Sequence, residues 1–193
     1  MNIYLHVEIS ARELHSKLLL AILAAAKGHD VIVSELEIIL KGLGDFYKVP
    51  YSIVRPSAVY GPTDMNRRVS QIFIEKAIRN EVINVQGKDE KLDFTYVKDI
   101  ARGFVLAAIS PNSNGQIFNI TSGNARTLLD FVNCLKVHFP KLSFKIEDRD
   151  EFRPKRGTLN IDKAKSLLNY SPTYTLEKGI AEYVEFLREI HKI

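Results

Sequence analysis

Residues 1–35 read as strand, helix, strand, and that order constrains the fold more than any other feature of the chain. "IYLHVEI" is a short β-rich run. "ARELHSKLLLAILAAAKG" repeats apolar residues at helical spacing, with Leu14, Leu18, Ile22 and Ala25 on one stripe and Gly28 at its end. "DVIVSE" is a second β-rich run. A strand returned through a helix lies parallel to the first, by a right-handed crossover. A glycine-rich turn would let a pyrophosphate approach the helix N-terminus, but the first strand is followed by Ser10-Ala11-Arg12-Glu13-Leu14, without glycine. No nucleotide site is expected there. The apolar run from Leu18 to Ala26 is too short to span a bilayer and follows Glu8, Arg12, Glu13 and Lys17. It reads as a buried helix face in a cytoplasmic protein that does not enter a membrane.

The alternation continues down the chain. A helix is expected near Glu37 to Phe46. A strand in "YSIVRPSAVYGP" then breaks at Arg55-Pro56 and turns at Gly61-Pro62. "MNRRVSQIFIEKAIRNEV" sets Val69, Ile72, Phe73 and Ala77 on one helical face. "VINVQG" reads as a strand, "KDEK" as a turn and "LDFTYV" as a further extended piece, with Asp99 as cap of the helix "IARGFVLAAI". After the loop "PNSNG" come a strand over Gln116 to Thr121 and a helix to Phe139, opened by Thr127 and Asp130 in a capping box. The strand "LSFKIED", the loop "RDEFRPKRGTLN", the short helix "DKAKSLL" and a last helix from Leu176 complete the order. The fold class is α/β. Its parallel sheet takes the N-terminal βαβ, the Tyr51 to Arg55 strand and the Gln116 to Thr121 strand, and a small C-terminal lobe follows.

Composition narrows the partners. With 193 residues, 46% hydrophobic and 26% charged, the chain is long enough for one substantial core. Lys and Arg number 27 against 23 Asp and Glu, a net charge of +4, but the basic residues are scattered apart from "RPKR" at Arg153 to Arg156 and the pair Arg67, Arg68. Nucleic acid wants a clustered basic face and is not expected as a partner. A small phosphate-bearing ligand needs only a few cations and fits better. The single cysteine, Cys134, lies in the apolar-periodic run "TLLDFVNCLKVHF", so it reads as a small core residue in a reducing compartment. The five histidines (His6, His15, His29, His138, His191) show no metal-ligand spacing, and no metal site is expected.

From about Glu37 onward five motifs occur in a fixed order. They are "PYSIVRPSAVYGP", a helix ending "EKAIRN", "INVQGKDEKLDFTYVKDIARGFVLA", "GQIFNITSGN" and "RPKRGTLNIDKAKSLLNYSPTYTLEKGI". In these the chain resembles the second half of the extended short-chain dehydrogenase/reductase family, the NAD-dependent nucleotide-sugar epimerases and dehydratases. The resemblance implies a partial Rossmann-like parallel sheet with a small C-terminal substrate-binding lobe. It also implies a division of labour, in which an N-terminal half holds NAD(P), a Tyr-x-x-x-Lys pair moves the proton, and the C-terminal lobe grips a nucleotide-diphosphate sugar. Residues Pro56, Ser57, Ala58 and Val59 match the turn that faces the nicotinamide. Residues 1–34 are loosely similar to the N-termini of surface-carbohydrate biosynthesis proteins. The expected boundary therefore separates a βαβ segment of different origin, 1–34, from an epimerase/dehydratase-like part, 35–193.

The resemblance also marks what is missing. In the family a Glu stands about eight residues after the catalytic Tyr and about eighteen before the Arg-Pro. Glu37 stands eighteen before Arg55, but the matching Tyr and Lys positions hold His29 and Val33. No catalytic residue is assigned, and NAD(P) is expected by resemblance only, not bound by this chain alone. Leu92 occupies the place of an arginine that reaches the substrate diphosphate, and Lys91 is expected to point to the opposite side of the strand. The remaining substrate-binding candidates are Gln86, Arg153 and Arg156, the arginines because a planar guanidinium suits diphosphate oxygens. Tyr60 reads as a packing residue. The leading reading is a truncated family member of nucleotide-sugar (surface polysaccharide) metabolism, inactive alone. The alternatives are a non-catalytic sugar-nucleotide- or partner-binding remnant and a glycosyltransferase-type protein.

Overall fold

The computed structural model of the chain describes residues 3–6, 31–34, 37–64 and 68–191. In chain order its elements are β1 (Ile3–His6), β2 (Val31–Ser34), α1 (Glu37–Tyr47), β3 (Ser52–Pro56), β4 (Val59–Tyr60), α2 (Val69–Ile78), β5 (Ile83–Gln86), β6 (Lys91–Leu92), β7 (Thr95–Tyr96) and α3 (Val97–Ile109). A 3-10 turn (Pro111–Ser113), β8 (Gln116–Ile120), β9 (Arg126–Thr127), α4 (Leu128–His138), β10 (Phe144–Glu147), α5 (Asp162–Leu168) and α6 (Leu176–His191) follow. The helix expected between β1 and β2 lies outside the described residues, as does His29. The chain forms two compact units, Met1–Val54 with Leu106–Phe118, and Arg55–Val105 with Asn119–Ile193.

In the first unit β1 and β2 pair in parallel, Ile3 opposite Val31 and Leu5 opposite Val33, as a strand-helix-strand order demands. Next along the chain, α1 ends where Val49 N–H donates to the Gly44 carbonyl at 3.0 Å and Lys48 takes a left-handed φ of 57°. The glycine at 44 is needed because the Tyr51 ring lies on it. A Cβ there would stand 2.3 Å from Tyr51 Cδ1. Tyr51 is buried with Ile53 against Ile117, and its backbone is fixed at both ends. Its N–H donates to Asn114 Oδ1 at 3.2 Å, and its carbonyl accepts from Gly115 N–H at 2.7 Å. This is how the "PNSNG" loop is tied beneath β3, which pairs with β8.

The second unit carries the larger core. Parallel pairs β4–β7 and β5–β10 present Tyr60, Tyr96, Ile83 and Val85 to α2, α4 and α6, and Phe94, between β7 and the antiparallel pair β6–β9, joins them. Aromatic rings fill its centre: Phe94 and Phe131 are 4.9 Å apart between centroids, and Tyr60 meets Phe131 edge-on at 5.9 Å. Of the expected helical face of α2, Phe73 and Ala77 are buried and Val69 and Ile72 are half-buried against the core, while Ile74, not expected there, is buried as well. The capping box that opens α4 is complete, since Thr127 Oγ1 accepts from Asp130 N–H at 3.0 Å and the Asp130 carboxylate accepts from Thr127 N–H at 2.9 Å.

Two expectations are corrected here. Asp99 does not cap a helix beginning at Ile100, because α3 already starts at Val97. Its buried carboxylate accepts instead from Thr173 N–H, Thr173 Oγ1 and Tyr174 N–H at 2.9–3.0 Å, and from Arg102 at 2.9 Å, tying α3 to the segment before α6. "LDFTYV" is not one extended piece. It breaks at Asp93, whose buried carboxylate accepts from Thr121 Oγ1 at 3.0 Å, Ser122 Oγ at 2.7 Å and Leu159 N–H at 3.0 Å. A carboxylate turned inward needs this many donors, and gathering them bends the chain out of the ladder.

Candidate functional site

A cleft of about 550 Å³ lies within the second unit, between the turn Gly87–Lys91 and the chain from Ile146 to Arg149, with Lys155 and Arg156 at its rim. The sequence builds it locally. Gly87 has φ of +72°, and a Cβ there would lie 2.7 Å from Glu90 Cγ and 3.2 Å from Arg149 Cβ, so only glycine fits the turn. Glu90 N–H closes the turn on the Gly87 carbonyl at 2.9 Å. The first amides of α4 hold it from behind, Leu128 N–H to the Glu90 carbonyl at 2.9 Å and Leu129 N–H to the Lys88 carbonyl at 3.2 Å. β10 continues opposite β5, Gln86 facing Glu147 in register, and delivers Arg149 to the other wall.

Arg149 joins the two walls. Its guanidinium donates to Glu90 and to the Arg153 carbonyl, while Phe152 N–H donates to Asp150 Oδ1 at 3.1 Å. The "RDEFRPKR" loop is therefore held, although its side chains from Glu151 to Arg156 are exposed. The lining is mixed in charge, with five cations (Lys88, Lys91, Arg149, Lys155, Arg156) against four carboxylates (Asp89, Glu90, Glu147, Asp148). Lys88 is taken by Asp89 at 2.9 Å and Arg149 by Glu90. Lys91, Lys155 and Arg156 form no ion pair among the described residues. Free cations beside carboxylates that can accept hydroxyl protons suit a phosphorylated polyol better than a bare polyanion.

The residues expected from sequence are only partly brought together. Arg156 lines the cleft, but Arg153 turns its guanidinium to Asp150 at 3.2 Å and contributes its carbonyl instead. Gln86 is exposed at the end of β5, one residue before the cleft wall. Leu92 packs against the apolar core, and Lys91, expected to face away from the site, lines the cleft with Arg156. The turn Pro56 to Val59 is half-buried between β3 and β4 and does not line this cleft. Ala58 there has a left-handed φ of 38°, and its carbonyl accepts from Thr95 N–H at 3.2 Å. That backbone group is committed to the fold. In sequence, Val7 to Lys27 contains no glycine.

No proton-transfer centre is assembled among the described residues. Tyr60 is buried, its hydroxyl donates to the Leu176 carbonyl at 3.3 Å, and burial raises its pKa. Sequence reasoning missed one Tyr-x-x-x-Lys string, Tyr174 to Lys178. Its geometry opposes catalysis by a tyrosinate. Lys178 Nζ stands over the Tyr174 ring, 4.3 Å from its centroid, and the Tyr174 hydroxyl donates to Glu182 Oε2 at 2.9 Å, which raises the phenol pKa. Burial pushes the Cys134 thiol up to about 11, so it is no nucleophile at neutral pH. Among the described residues no group of His, Cys, Asp and Glu could hold a metal ion, and no helix is long and apolar enough to cross a membrane.

Residues 27–121 match the model of the NAD dependent epimerase/dehydratase family. Among curated proteins the chain is similar to a UDP-glucuronate 4-epimerase of Thermodesulfobacterium geofontis, 30% identical over an alignment of 160 residues that covers 74% of this chain and 45% of the relative. It is also similar to a UDP-glucose 4-epimerase of Mycolicibacterium smegmatis, 26% identical over 79% of this chain and 50% of the relative. The chain spans about half the length of the curated relatives it matches. Among solved structures, the UDP-glucuronic acid 4-epimerase of Bacillus cereus with UDP-glucuronic acid and NAD overlays with a TM-score of 0.71. It is 26% identical and covers 78% of this chain and 49% of that one. A UDP-glucose 4-epimerase of Thermotoga maritima with UDP-glucose overlays with a TM-score of 0.72 at 27% identity, over 80% and 50%.

Proposed function

Because the chain belongs to the NAD-dependent epimerase/dehydratase family, we propose that it holds a nucleoside-diphosphate sugar in the Gly87–Arg156 cleft without performing the family's hydride and proton chemistry by itself. One observation carries the reading. Arg156 reaches the cleft rim with no ion-pair partner among the described residues, next to carboxylates placed to accept sugar hydroxyls. The positions matching the family's Tyr and Lys hold His29 and Val33, so the reading assigns this chain no base of that kind. A reducing, cytoplasmic setting suits the lone, partly buried cysteine.

Calorimetric titration of the full 193-residue chain with UDP-glucose and with NAD tests this. Binding of the first and none of the second at micromolar concentrations is expected. A charge-assisted phosphate contact contributes about 1.5–3 kcal/mol, so Arg156→Ala should weaken UDP-glucose by about tenfold to 150-fold and leave free glucose unchanged. Arg153→Ala should do less, its guanidinium being engaged by Asp150. NAD binding of micromolar order, or an Arg156→Ala protein with wild-type affinity, overturns the reading.

A further inference from the structure

We propose that Lys91 is the second phosphate-binding cation of this cleft, paired across it with Arg156. The inference rests on the proposed binding of a nucleoside diphosphate. On β6 the side chains of Lys91 and Leu92 leave on opposite sides, and the structure shows which side is which. Leu92 packs against the apolar core of the second unit, and Lys91 lines the cleft.

The backbone of Lys91 is fixed although its ammonium is free. The residue pairs with Thr127 across the β6–β9 ladder, and the preceding carbonyl, Glu90 O, accepts from Leu128 N–H at 2.9 Å. The nearest carboxylates in sequence do not neutralise it, because Glu90 is engaged by Arg149 and Asp89 by Lys88. Arg156 approaches from the loop that Arg149 ties to Glu90. Two phosphoryl groups in a row present charge to both walls. A compact ammonium on a long stem from one wall and a planar guanidinium from the other divide that charge between them.

Titration of the full chain with UDP and with uridine, in low salt, separates the possibilities. Lys91→Met should weaken UDP by about tenfold or more, leave uridine unchanged and leave the melting temperature unchanged, since the side chain is exposed. Lys91→Arg should restore most of the UDP affinity. If Lys91→Met binds UDP like the wild type while Arg156→Ala does not, Lys91 has no such role and the nucleoside-diphosphate reading survives. Equal losses for UDP and uridine assign Lys91 a structural role and overturn the proposal. A wild-type chain that binds no UDP overturns both.

Discussion

Single residues decide here what a motif means. Tyr174 and Lys178 have the spacing of a catalytic pair, yet the lysine stacks on the ring and a carboxylate takes the hydroxyl proton's bond. A tyrosine that must give up its proton near neutral pH needs a cation to dominate at its oxygen, and at Tyr174 the Glu182 carboxylate, shared with the Tyr96 hydroxyl at 2.9 Å, outweighs the opposing Lys98. An absorbance titration, with Tyr174→Phe to assign the signal, should place Tyr174 above the ordinary tyrosine value of 10.0. Glu182→Gln should bring it back toward that value, because the hydrogen bond to Glu182 is the largest cause of the rise. Ionisation below 10.0 would reverse the assignment and return Tyr174 to the candidates for a base. Sequence spacing cannot see this difference, since it records which residues are near in the chain and not which atom of the ring the lysine meets.

Elements were legible where their signals are local. The capping box at Thr127 and Asp130, the start of α6 at Leu176 and the buried face of α2 are read from short-range spacing and are all present. Asp99 and Asp93 were not legible, because both carboxylates are satisfied by residues from distant parts of the chain. Lys91 does leave β6 opposite Leu92, as expected, but the side that the cleft takes was not legible for a related reason. Alternation gives two sides of a strand, but which one faces the cleft depends on where β10 and its loop return. The α4 cap offers a test at this scale. Thr127→Ala removes an N-cap hydrogen bond and should cost about 1 kcal/mol in denaturant unfolding. The Thr127 backbone N–H, aided by its hydroxyl and by Arg126, holds the Asp130 pKa below its ordinary 3.8. The stabilisation is full above 3.8 and fades as pH falls through the lower folded-state value. Asp130→Asn should therefore flatten the acid limb of the stability curve below pH 4 and leave its shape near neutrality unaltered, and an unchanged acid limb would refute the linkage.

At the scale of the whole molecule, the described residues bury apolar side chains unequally in the two compact units. The second buries Phe131, Leu135, Ile83, Val85 and Ile180 almost completely, with aromatic rings in mutual contact, and the Asp93 and Asp99 carboxylates tie its loops together. In the first, α1 leaves Phe46 and Tyr47 at 76% and 64% exposure, and among the described residues the buried apolar cluster is Tyr51 and Ile53 with Ile117. Burial sets how far a segment must open before its amides exchange, because apolar contacts contribute roughly 25 cal/mol per Å² removed from water. Amides of β5 and α4 should exchange only through global unfolding, with protection that falls steeply as denaturant is added. Amides of α1 should exchange through a local opening that denaturant hardly affects. Gly44→Ala sharpens the contrast. The added methyl meets the Tyr51 ring, and overpacking of this kind costs about 1–3 kcal/mol, so α1 protection should drop while β5 and α4 keep theirs. A uniform loss across both units would mean that the chain opens as one cooperative body, and the unequal stabilisation inferred from burial would then be wrong.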